Sequence, residues 1–156
     1  VDIEIVLQPN TAPEKRAEFF ASLPDVTSDL GDMTGADVVS QGLRAHVIDP
    51  NLMICSLPVD GFRQFMGIMN GGSTALLGET TGSTAAVLAA PEGKTAVGIS
   101  ITVNHHRPAK QGRVYCVATK VTQSASFVTY NFMFYRHDGN ISASGNHTCA
   151  FIDKRS

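Results

Sequence analysis

Hydrophobic and polar positions alternate with a period of two over most of the second half of the chain. Runs at that spacing, rich in β-branched and aromatic residues, cover residues 97–107, 113–121, 126–135 and 141–152. Residues 108–112, residues 122–125 and the Asp138-Gly139-Asn140 turn separate them, so the pattern predicts a meander of antiparallel strands. A similar run over residues 36–59 is broken by Asp49-Pro50-Asn51, which predicts a hairpin and brings the sheet to five or six strands.

One stretch departs from this rule. Residues 71–90 carry Ala, Leu, Thr, Gly and Ser without alternation, open after Asn70 and stop at Pro91-Glu92-Gly93, which predicts one long helix. A helix lacking a charged face is one that the fold buries. A long buried helix beside an antiparallel sheet predicts an α+β domain in which the sheet curls around the helix. Upstream, residues 12–23 predict a short amphipathic helix, with Thr11 able to cap and Pro13 and Glu14 suited to its first turn. The polar stretch through Gly35 predicts a loop or a short helix. The expected organisation is an N-terminal helix and loop over residues 1–35, then the sheet-and-helix domain over residues 36–156.

Composition narrows the classes of function. With 156 residues, 43% apolar and 17% charged, the chain has the size and balance of one globular domain. No apolar run reaches the roughly 18 residues of a membrane span. A net charge of −2 gives no basic surface for phosphate backbones, so neither nucleic acid nor membrane is expected as a partner. Cys55, Cys116 and Cys149 are odd in number and lack CxxC spacing, which argues against disulfides and zinc and for a reducing, cytoplasmic setting. The numbering starts at Val1, so a removed mitochondrial targeting segment stays compatible with it. His105 and His106 are neighbours on a strand and point to opposite faces, and His46, His137 and His147 show no ligand spacing. Neither a metal nor a cofactor is expected.

Glu79 is the conspicuous residue. Between Arg63 and Lys94 the only other charge is Glu92, in the turn that ends the helix. Helical ion pairs need a partner three or four residues away, and Ala75, Leu76, Gly82 and Ser83 offer none. A carboxylate in an apolar helix is in the environment of a base or nucleophile. The alternatives are that it faces solvent, or pairs with a strand residue such as Arg107 or Arg113. Gly78 and Gly82 flank it, each costing about 1 kcal/mol relative to Ala inside a helix, which points to close approach of another group. Ser83, four residues on, shares its face and can hold an attacking water; the bland reading is a bond back to a carbonyl one turn earlier. At the helix start, Asn70-Gly71-Gly72 leaves unpaired, unobstructed N–H groups at the positive end of the helix dipole, suited to an oxygen gaining negative charge.

The string NGGSTALLGETTGSTAA resembles the helix of hotdog-fold acyl-CoA thioesterases of the 4-hydroxybenzoyl-CoA and phenylacetic-acid-degradation type, in which His-Gly-Gly is followed nine residues later by Asp or Glu. The segments VGISITVNHHRPAKQG and ISASGNHTCAF are similar to that family's strand, its Arg-Pro-Ala-x-x-Gly turn and its closing strand. The likeness spans residues 43–152 in order. It implies a hotdog fold and hydrolysis of an acyl-CoA thioester. By position it implies Glu79 as the catalytic carboxylate, Gly71 as the oxyanion amide, Gln64 as a positioning amide and Ser83 as the hydroxyl that accompanies Glu in such branches. It also implies contacts to substrate from Asn70 and Gly72, and to the CoA nucleotide from Arg107, Pro108 and Lys110. Two departures stand out: Asn70 replaces the usual His, and Gly98 stands where Asp-type relatives carry Ser.

From Gly71 to Glu79 the helix rises about 12 Å, at 1.5 Å per residue. One carbonyl cannot reach both, so the expected site is shared by two copies about a two-fold axis. The resemblance implies the same dimer, often within a homotetramer. Two other functions stay open: a hotdog dehydratase or hydratase, against which Asn70 argues by removing the usual His, and a non-catalytic acyl-CoA sensor.

Overall fold

The computed structural model describes residues 2–155. In chain order it comprises α1 (Ile3–Val6), α2 (Pro13–Ser22), a 3-10 helix (Thr27–Met33), α3 (Ala36–Ser40), β1 (Arg44–Val47), β2 (Leu52–Pro58), α4 (Gly71–Ala89), β3 (Lys94–His105), β4 (Arg113–Gln123), β5 (Phe127–Arg136) and β6 (Ile141–Asp153). The strands form one antiparallel sheet in the order β1-β2-β4-β5-β6-β3. Helix α4 touches β2, β3, β4, β5 and β6, so the curved sheet wraps around it. This is the hotdog arrangement that the resemblance implied.

Alternation divides the sheet into two faces. Met53, Cys55, Cys116, Ala118, Phe132 and Phe134 point toward α4 and, with Leu77, Ala85 and Ala86 from the helix, form the main core. Ile54, Val117 and Tyr135 point the other way and are covered by Val6 of α1 and Phe20 of α2. Phe20 stacks on Tyr115 with centroids 4.7 Å apart. Buried Arg16 donates from Nε to the Val6 carbonyl at 2.8 Å, which joins the two N-terminal helices.

Two elements differ from the sequence pattern. Residues 36–40 are helical where the β-branched run suggested strand. Asp37 lies in the first turn, Val38 and Val39 lean on the core, and Gly42, at φ 110°, redirects the chain into β1. Short apolar runs do not separate a buried turn of helix from a strand. The helix at residues 3–6 was not predicted; it is held by Asp2, whose side chain accepts from the Glu4 N–H at 3.1 Å. None of the helices among the described residues is long and apolar enough to cross a membrane.

Candidate active site

The start of α4 is held by a small frame. Residues 62–70 fold back on themselves, with the Gln64 N–H on the Ile68 carbonyl at 2.8 Å and the Asn70 N–H on the Phe62 carbonyl at 2.7 Å. Gly67, at φ 81°, makes the turn. This loop is tied to the turn after β3 by the Met69 N–H on the Ala109 carbonyl at 2.8 Å and by Arg63 donating to the Lys110 carbonyl at 2.9 Å. Gln64, Gly71, Arg107 and Pro108, far apart in sequence, therefore line one cavity of about 420 Å³ together with His105 and Ser142.

Asn70 caps α4, its Oδ1 accepting from the Gly72 N–H at 2.7 Å. Its carbonyl takes the Ser73 and Thr74 N–H groups. The Gly71 N–H has no acceptor among the described residues, so it is the donor left available at the positive end of a 19-residue helix. A Cβ at Gly71 would lie 2.9 Å from His105 Nε2, so glycine permits the imidazole to close over the helix start. Gln64 Oε1 accepts from the Met66 N–H, which leaves its amide nitrogen free to donate into the cavity. Lys110 does not line this cavity; it borders a separate depression with Arg136 and Asp138.

Two turns further along α4, Glu79 is not alone, and the expectation that it lacks a partner is corrected. His147 of β6 lies with Nε2 2.7 Å from Glu79 Oε2. Ser83 donates to the other oxygen, Oε1, at 3.1 Å. Neither Arg107 nor Arg113 reaches it among the described residues: Arg113 is engaged by Ser56 and the Gly42 carbonyl. The bond back to a carbonyl one turn earlier is made by Thr81 and Thr84, at 2.7 and 2.8 Å, and not by Ser83. The Glu79 side chain keeps 43% of its surface exposed, while His147 is fully buried.

His147 is the polar residue that spacing did not single out. Burial holds its pKa below the ordinary histidine value, and the Glu79 charge and hydrogen bond only partly oppose this. Burial thus favours the neutral imidazole, with Nε2 at hydrogen-bond distance from the carboxylate. The glycines explain how the pair fits. A Cβ at Gly98 would collide with Glu79 Oε1 and lie 2.9 Å from His147 Nε2, and one at Gly82 would collide with His147 Nδ1. Gly78 gives the helix close approach to Phe132 and Phe134. The signal available in the sequence was parity: Ala143, His147, Cys149 and Phe151 share the inward face of β6, where a histidine needs a polar partner.

Burial of α4 is complete only on its sheet side. Leu76, Glu79, Thr80 and Ser83 lie on a face that stays partly open, and it carries no second charge. Within a single chain the Gly71 cavity and the Glu79 carboxylate are separate, since neither Glu79 nor Ser83 lines that cavity.

Residues 66–143 match the model of the thioesterase superfamily. The proofreading thioesterase EntH of Cronobacter turicensis is 30% identical over 106 residues, covering 67% of this chain and 77% of that protein. The 1,4-dihydroxy-2-naphthoyl-CoA hydrolase of Escherichia coli is 27% identical over 111 residues, covering 70% and 82% respectively. A crystal structure of a thioesterase from Haemophilus influenzae superposes with a TM-score of 0.73 at 26% identity, over 82% of this chain and 88% of that one.

Proposed function

Since the chain belongs to the thioesterase superfamily, we propose that it hydrolyses an acyl-CoA to the free acid and CoA at a site shared by two copies of the chain. Thioester hydrolysis is the chemistry that the family brings; the CoA carrier is supported by the E. coli relative, a CoA-thioester hydrolase. In this reading the thioester carbonyl enters the cavity of one copy, its oxygen takes the Gly71 N–H, and the Gln64 amide orients it. Glu79 of the second copy meets the carbonyl carbon from the opposite side. Arg107 and Pro108, on the cavity wall, and Lys110 just outside it face the nucleotide end, with Asn70 and Gly72 at the helix start.

The reaction consumes one water. Glu79 either takes a proton from that water, which adds to the carbon, or adds to the carbon itself and is released by water afterwards. Both routes pass through an oxyanion that the Gly71 amide stabilises, and each such donor is typically worth about 3 kcal/mol. Collapse expels the CoA thiolate, which leaves as the thiol after taking up the displaced proton.

The observation that carries this reading is the uncommitted Gly71 N–H in a cavity that the half-exposed Glu79 does not line. Two further features support a second copy. Strand β3 is a 12-residue sheet edge with Val97 and Ile99 exposed, the kind of edge that proteins cover by pairing. Phe65, 96% exposed, and Met66 stand uncovered at the tip of the loop before α4. Pairing of such dimers into a homotetramer belongs to the same reading.

The test is thiol release from a panel of acyl-CoAs. Wild type releases thiol, and Glu79→Gln lowers kcat by about 10²–10⁴-fold while remaining a folded dimer. Wild-type turnover in that variant removes Glu79 from the mechanism. Tight binding without turnover in wild type identifies a sensor instead, and hydration of an enoyl-CoA identifies a hydratase.

A further inference from the structure

We infer that His147 is a positioning residue for the thioesterase step: its Nε2–H fixes the Glu79 carboxylate, in a space that Gly98 and Gly82 leave open for the pair. The inference rests on Glu79 being the reacting carboxylate.

The geometry divides the carboxylate's donors cleanly. Oε2 accepts from His147 Nε2 at 2.7 Å and Oε1 from Ser83 Oγ at 3.1 Å, one donor from the sheet and one from the helix. With both oxygens held, the three torsions of the side chain are restrained together. Each oxygen keeps a lone pair, and the exposed side of the carboxylate stays open to water or substrate. Glutamate has one more rotatable bond than aspartate, so a carboxylate reaching outward from α4 needs such a brace to hold attack geometry.

The imidazole itself is fully buried and packed on an aromatic ring. Phe132 lies against its plane, with centroids 5.6 Å apart and planes inclined by 29°. Cys149 Sγ lies 3.6 Å from Nδ1 and 3.8 Å from Nε2. Nδ1 is turned to the backbone of α4 at Gly82 and finds no oxygen acceptor among the described residues, which leaves the proton on Nε2. A neutral donor suits this task. Lysine or arginine at the same place would fix the carboxylate equally well but would also bind its charge strongly, which weakens a base or nucleophile.

Two glycines leave the room that this arrangement needs. Any Cβ at Gly98 displaces the carboxylate and crowds Nε2, and any Cβ at Gly82 displaces Nδ1. The same site therefore favours glutamate with glycine at residue 98, since a longer acid takes the volume that a β3 side chain would fill.

The experiment measures kcat, KM and thermal midpoint for His147→Leu, which keeps volume without a donor, and His147→Gln, which restores an N–H. Glu79→Gln is measured alongside. Expected are a fall in kcat of about 10–100-fold for His147→Leu with KM changed less than about threefold, and recovery of most of that loss in His147→Gln. Wild-type kcat in His147→Leu, or a kcat in His147→Gln as low as in His147→Leu at equal thermal midpoint, overturns the inference. If Glu79→Gln itself turns over normally, it is the underlying reading of Glu79 that fails. Nitrogen NMR of 15N-histidine-labelled wild type decides the point without relying on a substitution: His147 should be the neutral Nε2–H tautomer, and an Nδ1–H tautomer contradicts the inference.

Discussion

At the scale of single residues, the site depends on what is missing as much as on what is present. A side chain at Gly98 of β3 would enter the space of the Glu79 carboxylate, so Gly98→Ser should displace the acid and lower kcat by about 10-fold or more. The check is steady-state hydrolysis with circular dichroism on the same sample; full activity with a native spectrum contradicts the account. In the sequence Glu79 stood out by the absence of charge around it, and Gly71 and Ser83 by their spacing to it, while Gln64 came from the family resemblance alone. His147 was not legible there. Its partner lies 68 residues away, and no local spacing joins a strand to the helix it covers. Only the inward parity of β6 carried that information.

At the scale of elements, strand alternation and the uncharged helix were enough to predict the sheet meander and α4, because burial on one or both sides leaves a direct record in the polar pattern. Residues 36–40 were misjudged because β-branched residues there serve a helical turn. The long-range polar ties were also invisible. His46 of β1 bonds the Pro24 carbonyl at 2.8 Å through Nδ1 and Ser56 of β2 at 2.7 Å through Nε2, joining the segment after α2 to the sheet. Burial lowers its pKa, with Arg113 and Arg44 acting the same way and the Pro24 bond and Asp25 opposing. His147 shifts in the same direction, also through burial. For a histidine whose folded pKa lies below its unfolded value of about 6.5, the unfolded chain binds more protons, so the stabilisation is present above about pH 6.5 and is lost as pH falls below it. Thermal midpoints should therefore drop between pH 7.5 and pH 5, and less steeply in His46→Gln; a rise on acidification in wild type contradicts this.

The strands also bury all three cysteines. Burial pushes the Cys55 thiol up to about 12 and the Cys149 thiol to about 11, where the Glu79 charge adds to the effect, and raises Cys116 as well. Thiolate is the reactive form, so native protein should give essentially no reaction with a disulfide reagent within minutes and three equivalents on denaturation. Rapid labelling of native protein would mean that β2, β4 or β6 opens easily. The result also bears on assays that read thiol release, since the enzyme itself would contribute no background.

At the scale of the whole molecule, the proposed function makes a single chain the bearer of two incomplete halves of a catalytic apparatus, at opposite ends of eight residues of helix, about 12 Å apart. Gly71 and Gln64 line one cavity, while Glu79, Ser83 and His147 form a cluster outside it. The partly open face of α4, the exposed β3 edge and the uncovered Phe65 mark the surfaces on which a second copy would bring the halves together. The most direct measurement of that claim is complementation between two impaired chains, Glu79→Gln and Gln64→Ala, dissociated and reassembled together. If the site is shared, each mixed dimer regains one site with both residues intact, and random pairing restores about a quarter of wild-type acyl-CoA hydrolysis. Activity of the mixture no greater than the average of the two separate variants would contradict a site built from two chains.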